Sequence, residues 1–340
     1  MSNLNSKLNP KLFDADVEQV PIRKGFGEGL LKAAEIDKRI VGLCADLTES
    51  TQMLAFKEKF PTRFVEIGVA EQNLVTVASG MAAMGKIPFV SSYAVFSPGR
   101  NWEQIRTTIC YNNRPVKIAG SHAGVSVGPD GGSHQALEDI AITRVLPRMV
   151  VISPCDAIEA RKATLATAKT DSPTYIRLAR EKTPIITTEE APFEIGKATT
   201  VFKSEMRNTN ATTRNSGYDI GLIATGALLF KALKVAKKLD EQGKNVIVMN
   251  LSTIKPLDHE SIIKLAHETR AIVTIEEHQI VGGMGSAVAE CLGAHFPVPI
   301  EFIGVKDQFG QSGKPDELLE HYGMGEKDIY SAAQRAMLRK

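Results

Sequence analysis

Blocks of apolar residues with two different periods alternate along this chain. Residues 24–36 carry apolar positions at helical spacing, and the run Ile40, Val41, Leu43 and Cys44 within 39–46 is of the kind that fills a strand buried on both faces. The alternation continues. Residues 64–67 predict a short strand, and directly after it Leu74, Val77, Ala78 and Met81 recur at helical spacing. Further strands are predicted at 87–92, 115–120, 149–153 and 174–178, with helices at about 101–111 and from Asp156 onward. Strand and helix in regular turn predict a parallel sheet covered on both faces.

A second unit repeats the pattern. Strands are predicted at 219–224, 245–251, 271–275 and 300–305, separated by helices at 227–242, 259–268 and 285–295. The expected fold class is therefore α/β, with two doubly wound, mainly parallel sheet domains, the second the smaller. Residues 1–20 read as a loosely held arm, 21–183 as the first domain and 218–340 as the second. Between them the pattern weakens over 184–217, and the polar run from Ser204 to Gly217 predicts a linker or an exposed hairpin tip.

Composition narrows the classes of function. A chain of 340 residues, 43% of them hydrophobic, is long enough for two cores. Its 41 basic and 39 acidic residues are interspersed and leave a net charge of only +2, which offers no basic face for nucleic acid and no polybasic cluster for a membrane. The first residues are polar and no apolar run is long enough to span a bilayer, so the expectation is a soluble, cytoplasmic protein. Cys44, Cys110, Cys155 and Cys291 form no C-x-x-C pair and, Cys44 apart, read as buried small side chains.

Chemistry concentrates in a few places. Glu71 falls in the first turn of the helix that follows the 64–67 strand, where open α/β sheets hold their ligands, although an acid there also complements the helix dipole. The stretch from Ser121 to His134 is rich in glycine and too aperiodic for a regular element. It carries His122, Asp130 and His134, groups able to hydrogen-bond hydroxyls or an anion and to exchange protons near neutrality; an ordinary polar turn would use the same glycines. Their spacing fits no common ligand set, so no metal site is assigned to this chain. Arg23 and Arg180 are single cations beside predicted element ends, and Tyr93 and Phe96 sit in an aromatic turn as either core or platform. Gly283-Met-Gly285 lacks the third glycine of a dinucleotide fingerprint, and a tight turn into a helix explains it as well.

Six stretches, in order, resemble the C-terminal half of a transketolase: Ile22-Arg-Lys24, Gly42-Leu-Cys-Ala-Asp-Leu47, Gly68-Val-Ala-Glu-Gln72, Ser92-Tyr-Ala-Val-Phe96, the run from Ser121 to Gln135, and Arg177-Leu-Ala-Arg180. The resemblance covers about residues 21–330 and implies a pyrimidine-binding domain followed by a transketolase C-terminal domain. It implies that Glu71 sits against N1′ of the thiamine diphosphate aminopyrimidine and favours the imino tautomer, whose nitrogen removes the thiazolium C2 proton. Phe96 and Tyr93 would wall the pyrimidine ring. His134, as a catalytic residue, and Asp130 would meet the sugar hydroxyls near the reacting carbons, while Arg23, His122 and Arg180 would hold the substrate phosphate. Arginine suits that task because its planar fork meets phosphate oxygens in pairs.

Three departures from the family pattern stand out. Cys44 occupies the place of a common phosphate-contacting serine, and a thiol is a poorer donor. The aromatic turn, Phe96-Ser-Pro-Gly-Arg100, lacks a further tyrosine that many full-length members carry. Most important, the sequence has no Gly-Asp-Gly with a following Asn to hold Mg²⁺ and the diphosphate. The resemblance then implies one subunit of a split enzyme, with the Mg²⁺ ligands on a separate N-terminal subunit and a dimer of heterodimers as the assembly. The activity implied is transfer of a two-carbon ketol unit from a ketose phosphate to an aldose phosphate. A 2-oxo-acid dehydrogenase β subunit or a 1-deoxyxylulose-phosphate synthase-like enzyme is the rival within the cofactor class, and a non-catalytic regulatory subunit the rival outside it.

Overall fold

The computed structural model describes residues 4–206 and 217–340. Its strands in chain order are β1 (Gln19–Pro21), β2 (Ile40–Cys44), β3 (Phe64–Glu66), β4 (Ile87–Tyr93), β5 (Lys117–Ser121), β6 (Val150–Ile152), β7 (Thr174–Arg177), β8 (Lys182–Pro184), β9 (Thr199–Lys203), β10 (Ile220–Ala224), β11 (Val246–Asn250), β12 (Thr253–Lys255), β13 (Ile272–Gln279) and β14 (Ile300–Val305). One sheet runs β12-β6-β7-β5-β4-β2-β3, the other β14-β13-β10-β11-β9, and β1 pairs with β8 in a short ribbon. Within the two sheets the neighbours are parallel except at the edges, where β12 and β9 run antiparallel. Every residue of β2, β5, β10 and β11 is buried, the mark of strands covered by helices on both faces. The α/β reading with two mainly parallel sheets is the observed architecture.

Local departures from the sequence reading have physical causes. The described part of the N-terminal arm, from residue 4 on, is not loose: Leu8 and Leu12 are buried in the core of the second sheet unit, and Asn5 and Asn9 donate backbone N–H groups to the Val201 and Ile186 carbonyls. Part of the segment read as linker is β9, whose Val201 and Phe202 are buried against β11. The polar tract itself lies largely outside the described residues. The glycine-rich stretch includes a 3₁₀ turn, Val125–Asp130, and the C-terminal helices Pro315–His321 and Glu326–Leu338 complete the second unit.

The helix Ile22–Ile36, which brings in Arg23, lies against the helix Ala157–Thr167 at backbone contact distance. A Cβ built on Gly25 would stand 1.9 Å from the Ala157 carbonyl oxygen, and one on Gly29 would stand 2.7 Å from the Thr164 Cβ. Only glycine allows that approach.

Both units hold the loop that follows β5. Gly124, Gly128 and Gly131 have φ of 91°, 83° and 75°, and a Cβ on Gly124 would strike the Glu277 carboxylate at 2.3 Å. Glu277, on β13, accepts the Ser126 N–H at 2.6 Å, and Gln135 Nε2 donates to the Gln311 carbonyl at 3.0 Å. Beneath the loop, Asp139 accepts from Tyr175 Oη at 2.7 Å and Arg177 Nε at 2.8 Å, while Arg177 Nη2 donates to the Glu277 carbonyl at 2.7 Å. The second unit therefore fixes a loop that belongs to the first.

Candidate active site

Candidate residues come together because β7, β5, β4, β2 and β3 are consecutive neighbours and parallel, so their carboxyl ends share one rim. Tyr93 ends β4, His122 follows β5, Arg180 lies three residues past β7, and the chain after β3 turns at Gly68 into the helix Glu71–Ala83.

Glu71 is the first residue of that helix and only 3% exposed. Its Oε2 accepts from Arg100 Nη1 at 3.0 Å and its Oε1 from Ser92 Oγ at 3.3 Å, while Asn101 Nδ2 donates to its backbone carbonyl at 2.9 Å. The Arg100 guanidinium also lies 4.1 Å over the Phe96 ring, one turn back along the chain. Aromatic face and carboxylate are thus bridged by one flat cation.

A second group adjoins the first through Tyr93. Its ring stacks on Phe96 at 6.2 Å and on His122 at 3.9 Å, and His134 stands edge-on to Phe96 at 5.4 Å. His122 is buried, has φ of 59°, and shares a hydrogen bond through Nδ1 with Ser121 Oγ at 2.9 Å. A non-glycine residue in that conformation is a common feature of functional sites. Arg23 donates to the carbonyls of Ser50 and Arg180, and Arg180 donates to the Val127 carbonyl.

Positive charge accumulates here. Burial, followed by the charges of Arg23, Arg180 and His134, pushes the His122 pKa down to about 3. Burial and Arg180 also lower that of Arg23. An anion among these groups would offset the repulsion, so inorganic phosphate is expected to raise the His122 pKa toward its ordinary value. An NMR titration of His122 with and without phosphate checks this; a pKa indifferent to phosphate would argue against an anion site.

Two sequence candidates stand apart. Cys44 is fully buried, with Sγ 3.7 Å from Thr51 Oγ1, so the side chain expected at the substrate phosphate is packed into the core. A small, weakly polar thiol is more stable there than in water. Asp130 is exposed at the end of the 3₁₀ turn.

Sequence reasoning missed Arg100, Ser92 and Asn101. Arg100 had one local signal, its position four residues after Phe96, which places a cation over a ring when the segment turns. Gly283 and Gly285 also find their reason. The N–H groups of Met284 and Gly285 donate to the buried Glu276 carboxylate at 2.6 and 2.7 Å, and a Cβ on Gly283 would meet that carboxylate at 2.3 Å. The helix N-terminus is filled by the protein's own acid, and the tight-turn reading stands.

Comparison with known proteins gives the family. Residues 18–185 match the transketolase pyrimidine-binding domain and residues 209–329 the transketolase C-terminal domain. A Methanocaldococcus jannaschii protein named for a transketolase C-terminal section is 42% identical over 93% of this chain and 95% of its own length. The 6-deoxy-6-sulfo-D-fructose transketolase subunit of Clostridium sp. strain MSTE9 is 38% identical over 96% of this chain and 98% of its own. A solved split-gene transketolase, described as an inactive β4 tetramer, superposes with a TM-score of 0.84 at 40% identity, covering 94% of this chain and 99% of that one. The chain belongs to the transketolase family, whose members use thiamine diphosphate.

Proposed function

We propose that this chain is the pyrimidine-binding subunit of a split transketolase, moving a two-carbon ketol unit from an anionic ketose to an anionic aldose. The observation that carries the reading is Glu71, a nearly buried carboxylate at a helix head facing an aromatic turn. The residues fit the cofactor's ring: the space between Phe96 and Glu71 already accepts a flat, N–H-bearing cation, the Arg100 guanidinium, in stacking and hydrogen-bonding contact at once. A ring nitrogen carrying a proton makes the same two demands.

When bound, thiamine diphosphate supplies the carbon nucleophile and the electron sink of the reaction. The chain's residues do the rest. Glu71 holds a proton at a ring nitrogen, Phe96 and Tyr93 orient the ring, and His134 faces the reacting carbons of the sugar. Arg23, His122 and Arg180 hold the anionic end of the substrate. Asp130 meets a sugar hydroxyl once the sugar is in place.

Mg²⁺ and the diphosphate are assigned to a separate N-terminal subunit, because this sequence has no Gly-Asp-Gly with a following Asn. The description of a related β-subunit tetramer as inactive supports the need for a partner, and the assembly proposed is a dimer of heterodimers. No helix among the described residues is long and apolar enough to cross a membrane, and a cytoplasmic role in pentose phosphate chemistry is proposed.

Calorimetric titration of thiamine diphosphate and Mg²⁺ tests the reading, first into this chain alone and then into a mixture with the partner. Tight binding in the mixture only, with ketol transfer from xylulose 5-phosphate, is the expected result. Tight binding to the lone chain, or turnover of pyruvate with a lipoyl acceptor, would overturn it.

A further inference from the structure

We propose that His259, Cys291 and His295 form a binding site for a divalent cation of borderline softness, zinc being the best match, which clamps two helices of the C-terminal unit together. His259 is the first residue of the helix His259–Thr269; Cys291 and His295 lie four residues apart near the end of the helix Met284–His295, and so on one face of it. Their potential donor atoms all lie within 4.8 Å of one another, and the two imidazole rings are 5.9 Å apart.

Donor chemistry and orientation both favour coordination. His295 Nδ1 lies 2.8 Å from the Cys291 backbone carbonyl, which can only accept, so Nδ1 carries the proton and Nε2 keeps its lone pair free. A ligating histidine held through its other nitrogen in this way is the usual arrangement at protein metal sites. Two imidazoles and a thiolate suit zinc, whereas Mg²⁺ and Ca²⁺ demand oxygen. Tetrahedral zinc at its ordinary bond lengths sets its donors about 3.4–3.6 Å apart. Both histidines are exposed; with His295 kept by its hydrogen bond to the Cys291 carbonyl, a rotation of His259 inward over the buried thiol closes the remaining gap. Water would take the fourth position. Farther along the same pair of elements, His267 stacks on Phe296 at 3.7 Å, so the frame of the site is already set.

The test uses the full chain, stripped of metal with a chelator and titrated first with Co²⁺ and then with Zn²⁺. One equivalent of Co²⁺ is expected to give tetrahedral d–d bands and a thiolate-to-cobalt charge-transfer band, both removed by Zn²⁺, which raises the melting temperature. Cys291→Ser should abolish the charge-transfer band, and His259→Asn and His295→Asn should each weaken Co²⁺ affinity at least about tenfold. A charge-transfer band that survives Cys291→Ser, or an affinity unchanged in His259→Asn, overturns the proposal. Because Cys291 is buried and its replacement can disturb folding, the exposed His259→Asn variant keeps the test decisive.

Discussion

Replacing Glu71 with alanine is expected to lower kcat for ketol transfer by the reconstituted enzyme by about three orders of magnitude. A group that holds a proton at the reacting system typically contributes about 10²–10⁴-fold, and the hydrogen-bond partners of Glu71 among the described residues include no second carboxylate. Ser92 and Asn101, its other polar partners, are neutral. The variant should still fold and assemble, because the helix it heads is held by Leu74, Val75 and Ala78 in the core. It also frees Arg100, whose guanidinium is half exposed and can turn to water. Steady-state rates with the partner subunit, alongside melting temperatures, separate the two effects. A loss below tenfold with assembly intact would remove Glu71 from the mechanism.

The largest expected effect on stability comes from the smallest change, Gly25→Ala. Its new methyl would lie 1.9 Å from the Ala157 carbonyl oxygen and 2.7 Å from the carbonyl carbon, both backbone atoms that no rotamer change can clear. Two helices must move apart, at a cost of about 3 kcal/mol or more, or a fall in melting temperature on the order of 5–10 °C. Gly80→Ala is the control. It lies within the helix Glu71–Ala83 with nothing within 4 Å of its would-be Cβ, so the same substitution should stabilise by about 0.5–1 kcal/mol. Thermal denaturation of the two variants side by side checks the pair, and equal melting temperatures would show that the contact at Gly25 is not tight. Because Arg23 lies two residues earlier on the same helix, Gly25→Ala should also weaken anion binding.

What was legible in the sequence follows from how local each signal is. The runs now seen as β2, β4, β5, β10 and β11 carry their burial in their own composition, so a parallel sheet could be read from them directly. β9 buries only Val201 and Phe202 among polar neighbours, and β12 has three residues, too few for any period to show. Leu8 and Leu12 are two apolar residues in a polar arm, and only the core they enter reveals their purpose. In the candidate site, Glu71, His122, His134 and Arg180, which the structure brings to one rim, could be proposed from the sequence because residue type and motif position coincide. Arg100 meets its carboxylate across 29 positions of sequence, and Cys44 turns inward where a serine would be expected at the pocket. Both facts depend on side-chain direction, which spacing does not encode.

The antiparallel strand β12 bears on how such an enzyme can be divided between genes. It comes from the stretch that matches the C-terminal domain, yet it completes the edge of the pyrimidine domain's sheet by pairing with β6. A break between its two domains would leave β6 an open edge and oblige two newly made polypeptides to exchange a strand before either was finished. The pyrimidine and C-terminal domains are therefore bound to travel as one polypeptide.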